Sequence, residues 1–360
     1  MKKSELLNRI DLLKLIGKEF STIVKNDFRQ DHPDDELQSV AGNEFIRACR
    51  EAPLKNPWFT IPSVRFAVNS WSSSLEESKI DAWIQPYMKG LLSDRKTGTV
   101  AIVMAGNIPF VGLHDLLCAI VSGHRIIART ASGDAGLTSG VVGLIRSFNP
   151  GIAETIRITD ERIEKFDAVI ATGSNNTSRY FEYYFGKYPH IIRKNRNGVA
   201  VLTGTESRFD HNRLASDIFT YFGLGCRNVS KVFVPGNFDF ERFLADLEDY
   251  REITDHHKYL NNYDYQKSIL MINMVHHYDN GFLLMKENES FISPISVLNY
   301  EFYNEVQDLR QHLITKKDHI QCIVAQDGLI PGAVMFGESQ KPELWDYADE
   351  VDTLSFLLTL

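Results

Sequence analysis

TVAIVMAGNIPFVGLHDLLCAIVSGHRIIART, residues 99–130, decides the fold. A short apolar run, TVAIVMA, gives way to the helix-like stretch HDLLCAIVSG, and another apolar run, HRIIART, follows. The alternation continues through GLTSGVVGLIRSF, DAVIATG and GVAVLTG. Runs that are apolar almost throughout, rather than at every second residue, indicate a parallel sheet covered on both faces. Ligands of such sheets bind at the carboxyl ends of the strands. Upstream, residues 1 to about 95 carry amphipathic helical patterns, SELLNRIDLLKLIGKEF and DELQSVAGNEFIRACREA, and few strand signals. Downstream, a second α/β segment runs from the helix HNRLASDIFTYFG through the strand KVFVP to HIQCIVAQ. The expected division is residues 1–198 for the helical part and a dinucleotide-binding domain, 199–335 for a catalytic domain, and 336–360 for a segment packing back on the body or on a partner subunit. That last segment, DYADEVDTLSFLLTL, ends in alternating β-compatible residues.

The 360 residues suffice for two or three co-folded domains with a large core. Hydrophobic residues at 43% and charged residues at 24% describe a folded chain. A formal net charge of -8 argues against nucleic acid as a partner. Cys49, Cys118, Cys226 and Cys322 lie far apart with no C-x-x-C pairing, so neither a zinc site nor a disulfide framework is expected, and a reducing, cytoplasmic setting is. The first residues, MKKSELLNRIDLLKLIGKEF, begin like a signal peptide, but Asp11 and Lys14 interrupt the apolar region such a signal needs. No transmembrane segment is expected.

Several residues carry chemistry. Cys226, in YFGLGCRNVSKVFVP, follows a Gly-Leu-Gly turn and precedes a strand. A thiolate attacking a carbonyl needs such open backbone, whereas a buried structural cysteine is the equal alternative. Asn107, between a strand and a helix, is a donor to an oxyanion or a cap. Thr172, Gly173 and Ser174 form a small-residue turn before a helix, suited to a cofactor phosphate or to nothing more than the turn. Arg129 and Ser132, at the end of another strand, suit a ribose or its 2′-phosphate. His190 is a general acid or base or a turn histidine. The pairs His256/His257 and His276/His277 lack a carboxylate pattern and read as solvated histidines rather than metal ligands.

In sequence order, strand-Asn-Ile-Pro-Phe, a basic strand end, Thr-Gly-Ser and a glycine-flanked cysteine resemble the aldehyde dehydrogenase superfamily over roughly residues 95–340. MAGNIPFVGLHDLL, PHIIRKNRNGVAVL, GLGCRNVSKVFVP and FGESQKP resemble more closely its acyl-CoA reductase branch, the LuxC-like fatty-acid reductases. The resemblance implies an aldehyde dehydrogenase-like α/β fold, with a Rossmann-type cofactor domain and a second α/β catalytic domain. It implies Cys226 as nucleophile, Asn107 as oxyanion donor and residues 172–174 beside the dinucleotide. Arg129 stands at the family's usual lysine and Ser132 at its ribose-binding glutamate. A hydroxyl there relieves repulsion of a 2′-phosphate, so NADPH is favoured with NADH as the other choice. Glu289, in ENESFISPISVL, takes the position of a glutamate that contacts the nicotinamide ribose, although Ser293 replaces a glycine there.

The family's hydrolytic Glu of Glu-Leu-Gly-Gly has no counterpart in HIIRKNRNG, which fits a reductase that need not activate water. The implied reaction is NAD(P)H-dependent reduction of an acyl-CoA, or another acyl thioester, to an aldehyde. The alternatives are a CoA-acylating aldehyde dehydrogenase with a different substrate, a cofactor-independent acyltransferase or thioesterase using Cys226 with His190, and a catalytically silent scaffold that retains the fold. A homo-oligomer or an acyl-donating partner protein is compatible with all of them.

Overall fold

The computed structural model describes residues 1–28 and 40–360, so the first five residues of the expected helix DELQSVAGNEFIRACREA lie outside the described residues. The chain divides into two units, Met1–Lys194 with Pro342–Leu360, and Asn195–Lys341.

The first unit is built on strands β1 Thr99–Val103, β2 Arg125–Arg129, β3 Ile156–Thr159, β4 Ala168–Thr172 and β5 His190–Arg193. Their order is β3-β2-β1-β4-β5 and every pairing is parallel, so the strand order reverses between β1 and β4. Ala101, Val103, Val169 and Ala171 pack against Phe181 of the helix Asn175–Phe185. Val100, Ile102, Ala168 and Ile170 are equally buried on the other face, which is why these strands carry no polar alternation. The helix Leu113–Ser122 stops at Gly123, whose φ of 82° is left-handed.

The N-terminal helix Lys3–Lys25 buries Leu6, Ile10, Leu13, Phe20 and Ile23 at helical spacing. Phe20 stacks on Phe45 at 5.1 Å, and Phe45 on Phe110 at 6.0 Å. This aromatic column carries core apolar residues from the N-terminal helices up to the loop that follows β1.

The last segment is helical at Thr353–Leu358, not the strand expected from its alternation. Asp352 caps it, accepting from Ser355 N at 2.8 Å, and Leu354 and Leu357, three residues apart, are buried on one helical face. This segment packs on the helix Leu113–Ser122. Arg193 donates to both Asp115 oxygens, one at 2.9 Å, and to Thr353 Oγ1 at 2.8 Å, fastening the end of the chain to β5.

The second unit holds β6 Asn197–Val201, β7 Val229–Pro235, β8 Tyr278–Asp279, β9 Leu284–Glu287, β10 Val297–Tyr303 and β11 Ile320–Val324. The order is β11-β6-β7-β10-β9-β8, parallel except for the β8–β9 pair. The second unit opens at Asn195, and Asn197 pairs with β11. It closes at Lys341, and within it Gly337 N and Ser339 N donate to the buried Asp217 carboxylate at 2.6 and 2.9 Å. Among the described residues no helix is long and apolar enough to cross a membrane.

Candidate active site

Val103 pairs with Arg129 on one side and Ala171 on the other, so the loops after β1, β2 and β4 leave the first sheet side by side at its carboxyl edge. These loops carry Asn107, Ser132 and the turn Thr172–Ser174, with Arg129 as the last residue of β2. Asn107, Arg129, Ser132 and Ser174 are exposed. A Cβ on Gly106 would stand 2.6 Å from Ala131 Cβ, so the first two loops touch where only glycine fits. At Gly173 a Cβ would meet Phe181 Cε2 at 2.9 Å. Ser174 caps the helix Asn175–Phe185, its Oγ accepting from Thr177 N at 3.3 Å. Its hydroxyl is thus used locally, and the electropositive end of that helix faces this edge. A strand-order reversal, loops thinned by glycine, an exposed guanidinium and a helix N-terminus are a donor set that fits a nicotinamide dinucleotide.

The Asn107 loop is braced from below. Met104 N donates to Arg129 O at 2.9 Å, and Asn56 Nδ2 donates to Gly106 O at 3.3 Å. Phe110, with φ 60°, is seated on the aromatic column. The buried Asp134 accepts from Thr138 Oγ1 at 2.9 Å, and burial pushes its carboxyl up to about 7. Asn107 does not cap the helix that follows: Gly112 occupies the cap position.

The second unit carries Cys226. The helix Arg208–Phe219 ends before the expected HNRLASDIFTYFG pattern does, because Tyr221 and Phe222 take left-handed φ values of 55° and 59° and Gly223 one of 77°. Two non-glycine residues in that region are strained. Asn228 holds the turn closed: its Oδ1 accepts from Gly225 N at 2.8 Å, and its Nδ2 donates to Asp217 O at 2.9 Å and Thr220 O at 2.8 Å. Cys226 projects from this bracket and is exposed. Arg227 is turned to Ser339 O through its Nε.

The other thiols are in different surroundings. Burial holds Cys49 and Cys118 far up and pushes Cys322 up to about 12. Among the four cysteines, Cys226 is the exposed one.

The remaining candidates are dispersed. His190 opens β5 opposite Val169, toward the amino ends of the strands, and its Nδ1–H donates to Tyr188 O at 2.8 Å. It is not brought to the carboxyl edge of its own sheet. Glu289 is exposed in the connection after β9. His256 caps the helix His257–Ile272 and lies against Phe222, with ring centroids 4.4 Å apart. His277 bonds to Val275 O. Sequence reasoning passed over Asn228 and Lys231, both on or beside β7. A buried Asn directly after a Cys-Arg pair is a weak signal, and nothing local marks a lysine for complete burial.

Neither a scan with protein-family models nor a search of curated proteins gives a match. Solved structures do match. Aldehyde dehydrogenase 21 from Physcomitrella patens, in complex with the reaction product succinate, is 12% identical over 98% of this chain and 84% of that one, with a TM-score of 0.64. Succinic semialdehyde dehydrogenase from Streptococcus pyogenes, in complex with NADP+ as the cofactor, is 10% identical over 93% and 82%, with a TM-score of 0.62. Betaine aldehyde dehydrogenase from Staphylococcus aureus, in complex with NAD+, is 11% identical over 91% and 73%, with a TM-score of 0.60. The chain has an aldehyde dehydrogenase-like fold.

Proposed function

We propose that the protein reduces an acyl thioester, acyl-CoA foremost, to an aldehyde through an acyl-cysteine at Cys226, in the manner of the LuxC-like reductases its motifs resemble. The observation that carries this reading is the contrast among the thiols: Cys226 is exposed on a braced turn while Cys49 and Cys118 are buried and Cys322 is half-buried. The Cys226 thiolate attacks the acyl carbonyl, and collapse of the tetrahedral oxyanion expels the CoA thiolate, which takes up a proton. Asn107 donates its amide N–H to that oxyanion. Arg129 and Ser132 receive the 2′-phosphate of NADPH, Thr172, Gly173 and Ser174 lie beside the dinucleotide, and Glu289 contacts the nicotinamide ribose. When bound, the nicotinamide supplies the hydride that turns the acyl-cysteine into an aldehyde.

The stretch His190–Gly198 contains no carboxylate to activate water. Its buried cation, Arg193, is committed to Asp115 and Thr353. On this proposal the acyl-cysteine persists, which would separate a reductase from an acid-releasing enzyme. Anaerobic incubation with NADPH and a panel of acyl-CoAs, following cofactor absorbance and aldehyde together, tests the reading. Coupled loss of NADPH and appearance of aldehyde supports it, whereas CoA release without cofactor oxidation favours a transferase or thioesterase.

A further inference from the structure

β7 and β10 lie side by side, with Lys231 in register with Asn299. Both side chains are buried, Lys231 completely. They face the connection between β9 and β10, and that connection is fastened to them carbonyl by carbonyl. Lys231 Nζ donates to Glu289 O at 2.8 Å. Asn299 Nδ2 donates to Ser290 O at 3.0 Å and to Ile292 O at 3.1 Å. Ser230 Oγ donates to Phe291 O at 2.6 Å. Adjacent strand residues ordinarily point to opposite faces, but the register between β6 and β7 slips at Ser230, where Gly198 pairs with Val229 and Val199 with Lys231. That bulge turns Ser230 and Lys231 toward the same segment.

The charge on Lys231 is answered by Glu301, and its ammonium lies 5.0 Å from the Phe233 ring centroid and 4.8 Å from that of Phe291. An apolar side chain would fill the space between those rings as well. What the amine adds is the bond to the Glu289 carbonyl. Beyond Ile292 the same connection runs through Ser293–Ser296, which line a narrow crevice together with Phe222 and Gly223 of the Cys226 turn. One segment thus joins the Glu289 loop to the edge of the cysteine turn.

We propose that Lys231, Asn299 and Ser230 are positioning residues that hold the segment Glu289–Ile292 in the shape that receives a nicotinamide cofactor, Lys231 acting through Glu289. The inference rests on the cofactor role given to Glu289 above. A loop with four successive carbonyls already bonded loses little freedom when a ligand arrives, so its side chain meets the ribose preorganised.

The test uses the full chain, NADPH binding followed by fluorescence, and acyl-adduct formation on Cys226 from acyl-CoA without cofactor, followed by mass spectrometry. Lys231→Met and Glu289→Gln are each expected to weaken NADPH binding about tenfold. The double variant should bind no more weakly than Glu289→Gln alone, because the lysine acts through that residue. Adduct formation should proceed at the wild-type rate in Lys231→Met. Unchanged NADPH affinity in Lys231→Met, additive losses in the double variant, or a parallel loss of acylation each overturns the proposal. If Lys231→Met does not fold, Ser230→Ala takes its place in the same cycle, with a smaller loss of roughly threefold and the same non-additivity. A wild-type protein that binds neither NADPH nor NADH fails differently: it overturns the functional reading, and this inference with it.

Discussion

Two cysteine environments in this chain are opposites. In the first unit, Cys118 Sγ lies 3.7 Å from His114 Nδ1, one helical turn away on Leu113–Ser122, an arrangement that resembles a thiol beside its base. Yet His114 is packed among Trp71, Trp83 and Tyr347, its Nε2–H donates to Leu344 O at 2.9 Å, and burial lowers its pKa while raising that of Cys118. In the second unit, Cys226 is exposed on a turn whose left-handed Tyr221 and Phe222 cost roughly 1–2 kcal/mol each, offset in part by the bonds of Asn228. The first pair has a partner without access; the second has access on strained backbone. On the proposed reading, access and local strain, more than the nearness of a histidine, mark the reactive thiol.

The largest expected effect is at the exposed thiol. Cys226→Ala should abolish aldehyde formation while leaving the unfolding midpoint and NADPH affinity near wild type; measurable turnover in that variant would erase the contrast. Next, Asn107→Ala should lower turnover about a hundredfold with little change in cofactor affinity, the usual scale for an oxyanion donor. Unchanged steady-state rates would reduce Asn107 to a turn residue. Arg129→Ala should reduce the preference for NADPH over NADH roughly fivefold, read from the ratio of kcat/KM values. Cys118→Ala sharpens the comparison from the other side: turnover unchanged, and stability lower by about 1 kcal/mol in urea unfolding.

The half-buried His114 also sets a pH dependence. The pKa of His114 in the folded protein is below its unfolded value of about 6.5. The unfolded chain therefore takes up the proton first, and the stability this group contributes, present above that value, is lost as the pH falls through it. His124, lowered by burial as well, adds to the same slope. Urea midpoints measured from pH 7.5 down to 5.5 should fall, and fall less steeply in His114→Gln.

Much of the first sheet was legible because its strands are buried on both faces and read as continuous apolar runs bounded by glycine, as in TVAIVMAG and DAVIATG. Asn107, Arg129, Ser132 and Thr172–Ser174 could be assigned to strand ends from local order alone, and one carboxyl edge holds them all. Less could be read where partners are distant in sequence. Arg193 meets Asp115 across 78 positions and Lys231 meets Glu301 across 70, so neither pairing leaves a local trace. The left-handed turn at Tyr221 and Phe222 is invisible for another reason: glycine marks such backbone, and only Gly223 does so here. At Thr353–Leu358 a six-residue pattern was too short to separate helix from strand, and packing on Leu113–Ser122 decided it.

Cys226, as proposed, holds an acyl group that water does not readily remove. A single-turnover chase with labelled acyl-CoA, quenched at intervals and read by intact-protein mass spectrometry, measures this directly. One acyl adduct is expected, on Cys226 and on none of Cys49, Cys118 or Cys322, persisting without reductant and converting promptly to aldehyde when NADPH is added. Rapid release of free acid without NADPH, suppressed in His190→Ala, or an adduct on another cysteine, would contradict it.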